Sequence, residues 1–169
     1  MEKYTYSWES EKRHWLKKDI EKYCKKILGW DDINIRYVPI KKTGVDALAH
    51  ANSCTITFCV KSFAKEVLWH ECGHLSANKT GVPVSSVPSL SKCGFWKEVN
   101  WRDVWHQKDF YEEELRAQAW AYLRALEFGY ANIAKTLKNF PQGYTYYNPD
   151  LVKLFNLEIK KQRASRVEL

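Results

Sequence analysis

The sequence predicts an α+β fold: a small twisted sheet of short strands in the first third of the chain, packed on two longer helices that follow it. Three observations point there. "INIRYV" (33–38) alternates apolar and polar residues up to Pro39, and residues 54–60, "CTITFCV", are rich in β-branched and aromatic side chains. The period then changes to that of a helix through "SFAKEVLWHECGHLSAN", from Ser62 onward. A second long helical pattern fills "DFYEEELRAQAWAYLRALEFG" and stops at Gly129.

Taken in order, residues 8–28 read as a helix: Ser7 or Ser10 can cap it, and Trp15, Ile20, Tyr23, Ile27 and Leu28 recur at helical spacing before Gly29. The strand 33–38 follows, then "KKTG" (41–44) as turn material. "VDALAHANSCTITFCV" reads as two short strands joined near Asn52 and Ser53. In the helix after it, Ser62 is available as N-cap, and Glu66 lies in the early turns where the helix dipole favours an anion. Residues 79–107 form a Trp-rich insertion with two prolines and two glycines, too long for a structureless connection, so it is a functional loop or holds short helices. Residues 130–169 are a C-terminal extension: a Tyr-rich turn, "FPQGYTYYNP", and one more helix through the basic "LVKLFNLEIKKQRASRVEL". There is no internal repeat.

The length of 169 residues is that of one domain, 1–169, and 45% apolar with 28% charged residues is the composition of a folded globular chain. Aromatic residues make up 15%, more than a small core needs, so some are expected to line a groove or a partner surface. The net charge of +7 would attract nucleic acid or an acidic partner. Yet Lys12, Lys17, Lys18, Lys22, Lys25 and Lys26 are interleaved with Glu11, Asp19 and Glu21, which resembles a solvated helix face more than a nucleic-acid arm. No stretch approaches a membrane span and the first residues lack the apolar core of a signal peptide, so a soluble, cytoplasmic protein is expected. The five cysteines are odd in number and form no C-x-x-C pair, so most are expected to be reduced core residues.

The chemistry concentrates in "LWHECGHL" (68–75). Residues four apart share a helix face, so His70 and His74 can each give an imidazole nitrogen to one zinc ion. Glu71 lies about 100° around the helix from His70, placed to act as general base on a water whose pKa zinc lowers toward neutrality. On a helical projection Phe63, Ala64, Val67, Leu68, His70, Glu71, His74 and Leu75 fall on one half, and Lys65, Trp69, Cys72 and Ser76 on the other. The polar trio is thus aimed into the apolar side, where an unpartnered glutamate would be costly. Gly73 removes bulk from the helix flank and suits close packing.

A catalytic zinc needs a third protein ligand and an open position. A histidine six residues after His74 is absent, since Thr80 stands there; the candidates are Asp103, His106, Asp109, Glu112, Glu113 and Glu114. On the second helix Phe110, Ala117, Ala121, Ala125 and Phe128 lie within roughly 60° of Glu114, whereas Glu112 and Glu113 point toward Arg116, Arg124 and Glu127 and read as a solvated helix start. Glu114 is therefore the expected third ligand, with His106 its main rival.

"LWHECGHL" followed by "EELRAQAWAYL" resembles the gluzincin metallopeptidases, in particular the ImmA/IrrE-type family and the minigluzincins, over about residues 33–126. That family carries H-E-x-x-H and a later E-x-x-A-x-x-[FW]-A, matched here by Glu114, Ala117, Trp120 and Ala121. The resemblance implies a compact single-domain zincin fold and a zinc metalloendopeptidase acting on a protein or peptide, with a transcriptional regulator as substrate by analogy. It also implies that the strand 54–60 is the edge that pairs with an extended peptide. Tyr111, His106 and Tyr130 are open candidates for stabilising the oxyanion. The alternative to an enzyme is a silent or latent zincin scaffold that binds protein or nucleic acid.

Overall fold

The computed structural model describes residues 17–38, 47–50, 54–59, 65–80 and 101–167. Helix α1 (Lys17–Leu28) buries Ile20, Tyr23, Cys24, Ile27 and Leu28 along one stripe and leaves Lys22 and Lys26 exposed, the solvated lysine face expected there. Gly29 ends it with φ +79°, a left-handed conformation that glycine adopts without steric cost, and its N–H closes on Lys25 O at 2.8 Å. The expected earlier turns, residues 8–16, lie outside the described residues.

Strands β1 (Asn34–Val38), β2 (Ala47–His50) and β3 (Thr55–Cys59) form one mixed sheet in the order β1-β3-β2, with β1 parallel and β2 antiparallel to β3. The register sets Ile35 beside Ile56 and Ala49 beside Ile56 on the other side. Along β1 and the residue before it, Ile33 and Ile35 are buried while Asn34 and Arg36 face water, as the alternation requires. The strand 54–60 was expected at the sheet edge; it is instead β3, the centre. The physical reason is visible in its burial: Thr55, Ile56 and Thr57 are buried in succession, so both faces and both edges of this strand are covered. Among the described residues the outer strands are β1 and β2, and β2 packs beside the next helix.

Helix α2 (Lys65–Thr80) carries the histidines and lies between β2, α1 and a long helix, α4 (Lys108–Glu127). Before α4 comes the short α3 (Trp101–His106); after it come α5 (Ala131–Asn139), a 3-10 turn (Phe140–Tyr144) and α6 (Leu151–Val167). Of the insertion, residues 81–100 lie outside the described residues, and α3 is the short helix anticipated for it. Helix α5 was not anticipated. Its buried Ile133, Ala134 and Leu137 are amphipathically spaced, but it is short and its N-cap Tyr130 makes no side-chain capping bond, so the usual start signal is missing.

The expected division of α2 into an inner and an outer half does not hold. Trp69, Cys72, Ser76 and Lys65, assigned to the outer half, are all buried, because α1, α4 and α5 close over the side that β2 leaves open. Trp69 is fully buried: its indole N–H donates to Tyr23 Oη at 3.0 Å, and its ring meets Tyr23, Phe128 and Tyr130 edge-on. A second core gathers Trp105, Leu115, Ala119 and Leu123 against Leu151, Phe155 and Ile159 of α6. Of the tryptophans whose side chains are described, Trp69 and Trp105 are buried and Trp30 and Trp120 pack partly against the interior. Cys24 and Cys72 are buried free thiols, and Cys54 is half-buried. Among the described residues no helix is long and apolar enough to cross a membrane.

Candidate metal centre

The site begins with a backbone contact. A Cβ placed on Gly73 would come within 2.2 Å of the Ala117 carbonyl oxygen, so α2 and α4 touch main chain to main chain at this point. Ala117 and Ala121, both fully buried, keep the α4 side of the contact equally thin. This close approach brings His70 and His74, on either side of Gly73, against Glu114, one turn before Ala117.

Three side chains converge. His70 Nε2 lies 2.9 Å from Glu114 Oε2 and 3.1 Å from His74 Nε2, and His74 Nε2 lies 3.2 Å from Glu114 Oε1. The other ring nitrogens are turned outward. His70 Nδ1 meets Gln118 Oε1 at 2.5 Å, while Gln118 Nε2 donates to Leu137 O at 2.8 Å. Because the Gln118 amide nitrogen is committed to a carbonyl, its oxygen is the acceptor, and the network assigns the His70 proton to Nδ1. His74 Nδ1 faces Glu113 Oε1 at 3.5 Å, an acceptor on the same side of the ring. The ring of Phe140 stacks on His70, with centroids 5.1 Å apart.

With the Nδ1 atoms turned to acceptors, the two Nε2 atoms face each other and a carboxylate, an arrangement that suits positive charge between them, whether a metal ion or protons. A tetrahedral zinc with Zn–N near 2.0–2.1 Å sets its ligand atoms roughly 3.3 Å apart. The two Nε2 atoms, 3.1 Å apart, come within a few tenths of an ångström of that, and each meets one of the two Glu114 oxygens at a similar distance, 2.9 and 3.2 Å. Two imidazoles and one carboxylate are also the donor set of hydrolytic zinc sites with a fourth position open.

The electrostatics agree. Burial is the largest influence on every member and opposes its charged form; the neighbours decide the outcome. His70 is raised above the ordinary imidazole value and His74 well above it, because Glu114 overcomes the desolvation of both, aided at His74 by hydrogen bonding to Glu113 and Glu114. Glu114 is held well below the carboxylate range, since the two histidines outweigh its own burial. Glu71 goes the other way. It is buried, desolvation raises its carboxyl pKa, and the pull of His70, His74 and a hydrogen bond to the Ala49 backbone does not cancel that rise.

Among the described residues, His70, His74 and Glu114 are the group whose ligand atoms can meet on one ion. His106, the rival third ligand, is exposed at the end of α3 and outside it, and Asp103, Asp109 and Glu112 are exposed as well. Glu113 is a correction: expected at a solvated helix start, it is buried, because Arg116 and the α2 flank enclose it. Of the oxyanion candidates, Tyr130 packs on Trp69 and Phe128 with its hydroxyl 3.5 Å from Lys26 Nζ, and Tyr111 packs on the second core. Gln118 and Phe140 were missed. Gln118 was detectable, as it lies about 40° from Glu114 on the helical projection, a polar residue on an apolar face; Phe140 reaches His70 through the unanticipated α5 and had no such signal.

No protein-family model, curated protein or solved structure matches the chain. What the site can do therefore follows from its own atoms. It can hold a divalent cation that accepts nitrogen and oxygen donors, with a buried, proton-accepting carboxylate, Glu71, one residue from a ligand.

Proposed function

We propose that this chain is a zinc-dependent metallopeptidase of the gluzincin type, an α+β zincin akin to the ImmA/IrrE and minigluzincin peptidases, in which His70, His74 and Glu114 hold the metal and Glu71 is the general base. The observation that carries the reading is the convergence of two Nε2 atoms and the Glu114 carboxylate within 3.2 Å of one another, with both Nδ1 atoms turned to acceptors. Zinc held there supplies Lewis acidity, which makes water a nucleophile at neutral pH and polarises a carbonyl.

The chain's own groups do the rest. Glu71 has a raised carboxyl pKa, so it can take a proton and later hand it to a leaving amine. The Ala49 amide of β2 fixes the Glu71 carboxylate, tying the base to the sheet edge. That edge strand, Ala47–His50, offers an extended peptide main-chain pairing beside the base, which suits a protein or peptide substrate recognised with tolerance for sequence. By the family resemblance, a transcriptional regulator is the first substrate class to try.

The test compares wild type with Glu71→Gln on a peptide library at matched zinc loading. Loss of a general base costs about 10²–10⁴-fold, so cleavage should fall by at least two orders of magnitude while the metal stays bound. Equal cleavage by both proteins would remove Glu71 from the mechanism. Zinc bound by both without cleavage by either would favour a silent scaffold.

A further inference from the structure

Glu113 and Arg116 form a buried ion pair that the mechanism above does not use. Arg116 Nε reaches both Glu113 oxygens, at 3.0 and 2.9 Å, and Nη2 bonds Oε1 as well. The same guanidinium donates through Nη2 to Gly73 O at 2.8 Å and through Nη1 to Ser76 Oγ at 3.4 Å, so it is clamped to the helix that carries the histidines. Ser76 Oγ in turn bonds Gly73 O at 2.6 Å. From the other side, Gln162 of α6 donates to Arg116 O at 3.0 Å. A carboxylate held this way has little freedom to turn, and it stands 3.5 Å from His74 Nδ1.

The two imidazoles are therefore supported differently. His70 leans on a neutral amide, that of Gln118; His74 faces a full negative charge. From this asymmetry we propose that Glu113, fixed by Arg116, is a positioning residue that orients His74 and strengthens it as a metal ligand. The inference rests on the zinc reading of the site. A carboxylate at the outer nitrogen of a ligating histidine fixes its tautomer and ring orientation and raises its basicity. An exposed carboxylate could do this only weakly; Glu113, with its side chain 8% exposed, does it where water screens little. Arg116 offsets the cost of burying that charge, which is why the pair sits at the joint between α2, α4 and α6 and not on the surface.

The experiment measures zinc affinity and the visible spectrum of the cobalt-loaded protein for wild type, Glu113→Gln and Gln118→Ala, with melting of each metal-free form. Gln at position 113 keeps a carbonyl acceptor and removes the charge. Its zinc affinity should fall about 10–100-fold and its cobalt bands should shift, as expected for loss of an outer-shell carboxylate. A purely structural Glu113 would lower the melting temperature and leave the affinity of the folded protein and its cobalt spectrum unchanged; that result overturns the proposal. Should Glu113→Gln fold poorly because Arg116 is left unpaired, the double variant Glu113→Gln with Arg116→Met removes both charges and carries the same expectation. Unchanged affinity there also overturns it. A wild type that binds no zinc would instead sink the zinc reading itself, an outcome distinct from a variant that binds as well as wild type.

Discussion

Replacing Gly73 by alanine adds one methyl group where two helix backbones touch. The new Cβ would lie 2.2 Å from Ala117 O, 2.7 Å from its carbonyl carbon and 3.0 Å from its Cα. Even a close C–H···O contact needs roughly 3.3 Å, so α2 and α4 must separate by about 1 Å. The obstructing atoms are main chain, and no rotamer change can relieve them. Overpacking of this kind costs about 1–3 kcal/mol. Alanine returns about 1 kcal/mol through helix propensity, which leaves a net loss of roughly 0–2 kcal/mol. For a chain of this length that corresponds to a fall in Tm of up to about 8 °C. The larger effect falls on the proposed metal site, because its candidate ligands belong to the two helices being pushed apart: His70 and His74 to α2, Glu114 to α4. Ligand distances in metal sites hold to about 0.2 Å, so a separation of about 1 Å should weaken zinc binding at least tenfold. Thermal melting of the metal-free protein and zinc titration of Gly73→Ala measure the two effects. A variant that melts higher than wild type, as propensity alone demands, and binds zinc equally well would refute the reasoning.

Glu114→Ala should cost more zinc affinity than the about 10–100-fold that loss of an outer-shell partner costs, whereas His106→Ala should leave it unchanged; a competition titration distinguishes them, and the opposite order would move the third ligand to α3. In the metal-free protein, His70 and His74 have folded pKa values above that of a free imidazole, so their contribution is complete below about pH 6.5 and is lost as pH rises through the raised values. Urea denaturation of the metal-free protein should thus show lower stability at about pH 9 than at about pH 6.5, and saturating zinc, which binds the deprotonated rings, should reverse the trend; a flat profile without metal would contradict the ion pairing. Trp69→Ala empties a fully buried site and removes the bond to Tyr23, so it should destabilise by about 3–5 kcal/mol in the same assay, and a loss below about 1 kcal/mol would show that the first core closes without it.

The clustered residues His70, His74 and Glu114 were legible because they obey the helical period. His70 and His74 are four apart, Glu114 sits among alanines on one face, and Gly73 lies between the ligands, so one-dimensional spacing carried the geometry of the site. What spacing does not carry is which elements become neighbours. β3 reads as a good strand from its β-branched residues, but those same residues suit a centre as well as an edge, and only the pairing with β1 and β2 decides between them. Trp69 and Cys72 fall on the half of α2 opposite the histidines, and a helical projection cannot anticipate that α1, α4 and α5 cover that half as well. Glu113 was hidden for a related reason: its apparent exposure on α4 ends where Arg116 bonds across to Gly73 and Ser76 on α2.

The most direct measurement is a quantitative zinc titration of the metal-stripped protein beside a His70→Ala, His74→Ala double variant. The convergent Nε2 atoms and the Glu114 carboxylate predict about one zinc per wild-type chain, and none bound at the same free zinc concentration by the double variant. Wild-type protein that takes up no zinc, or a double variant that takes up as much, would contradict a metal centre at this site.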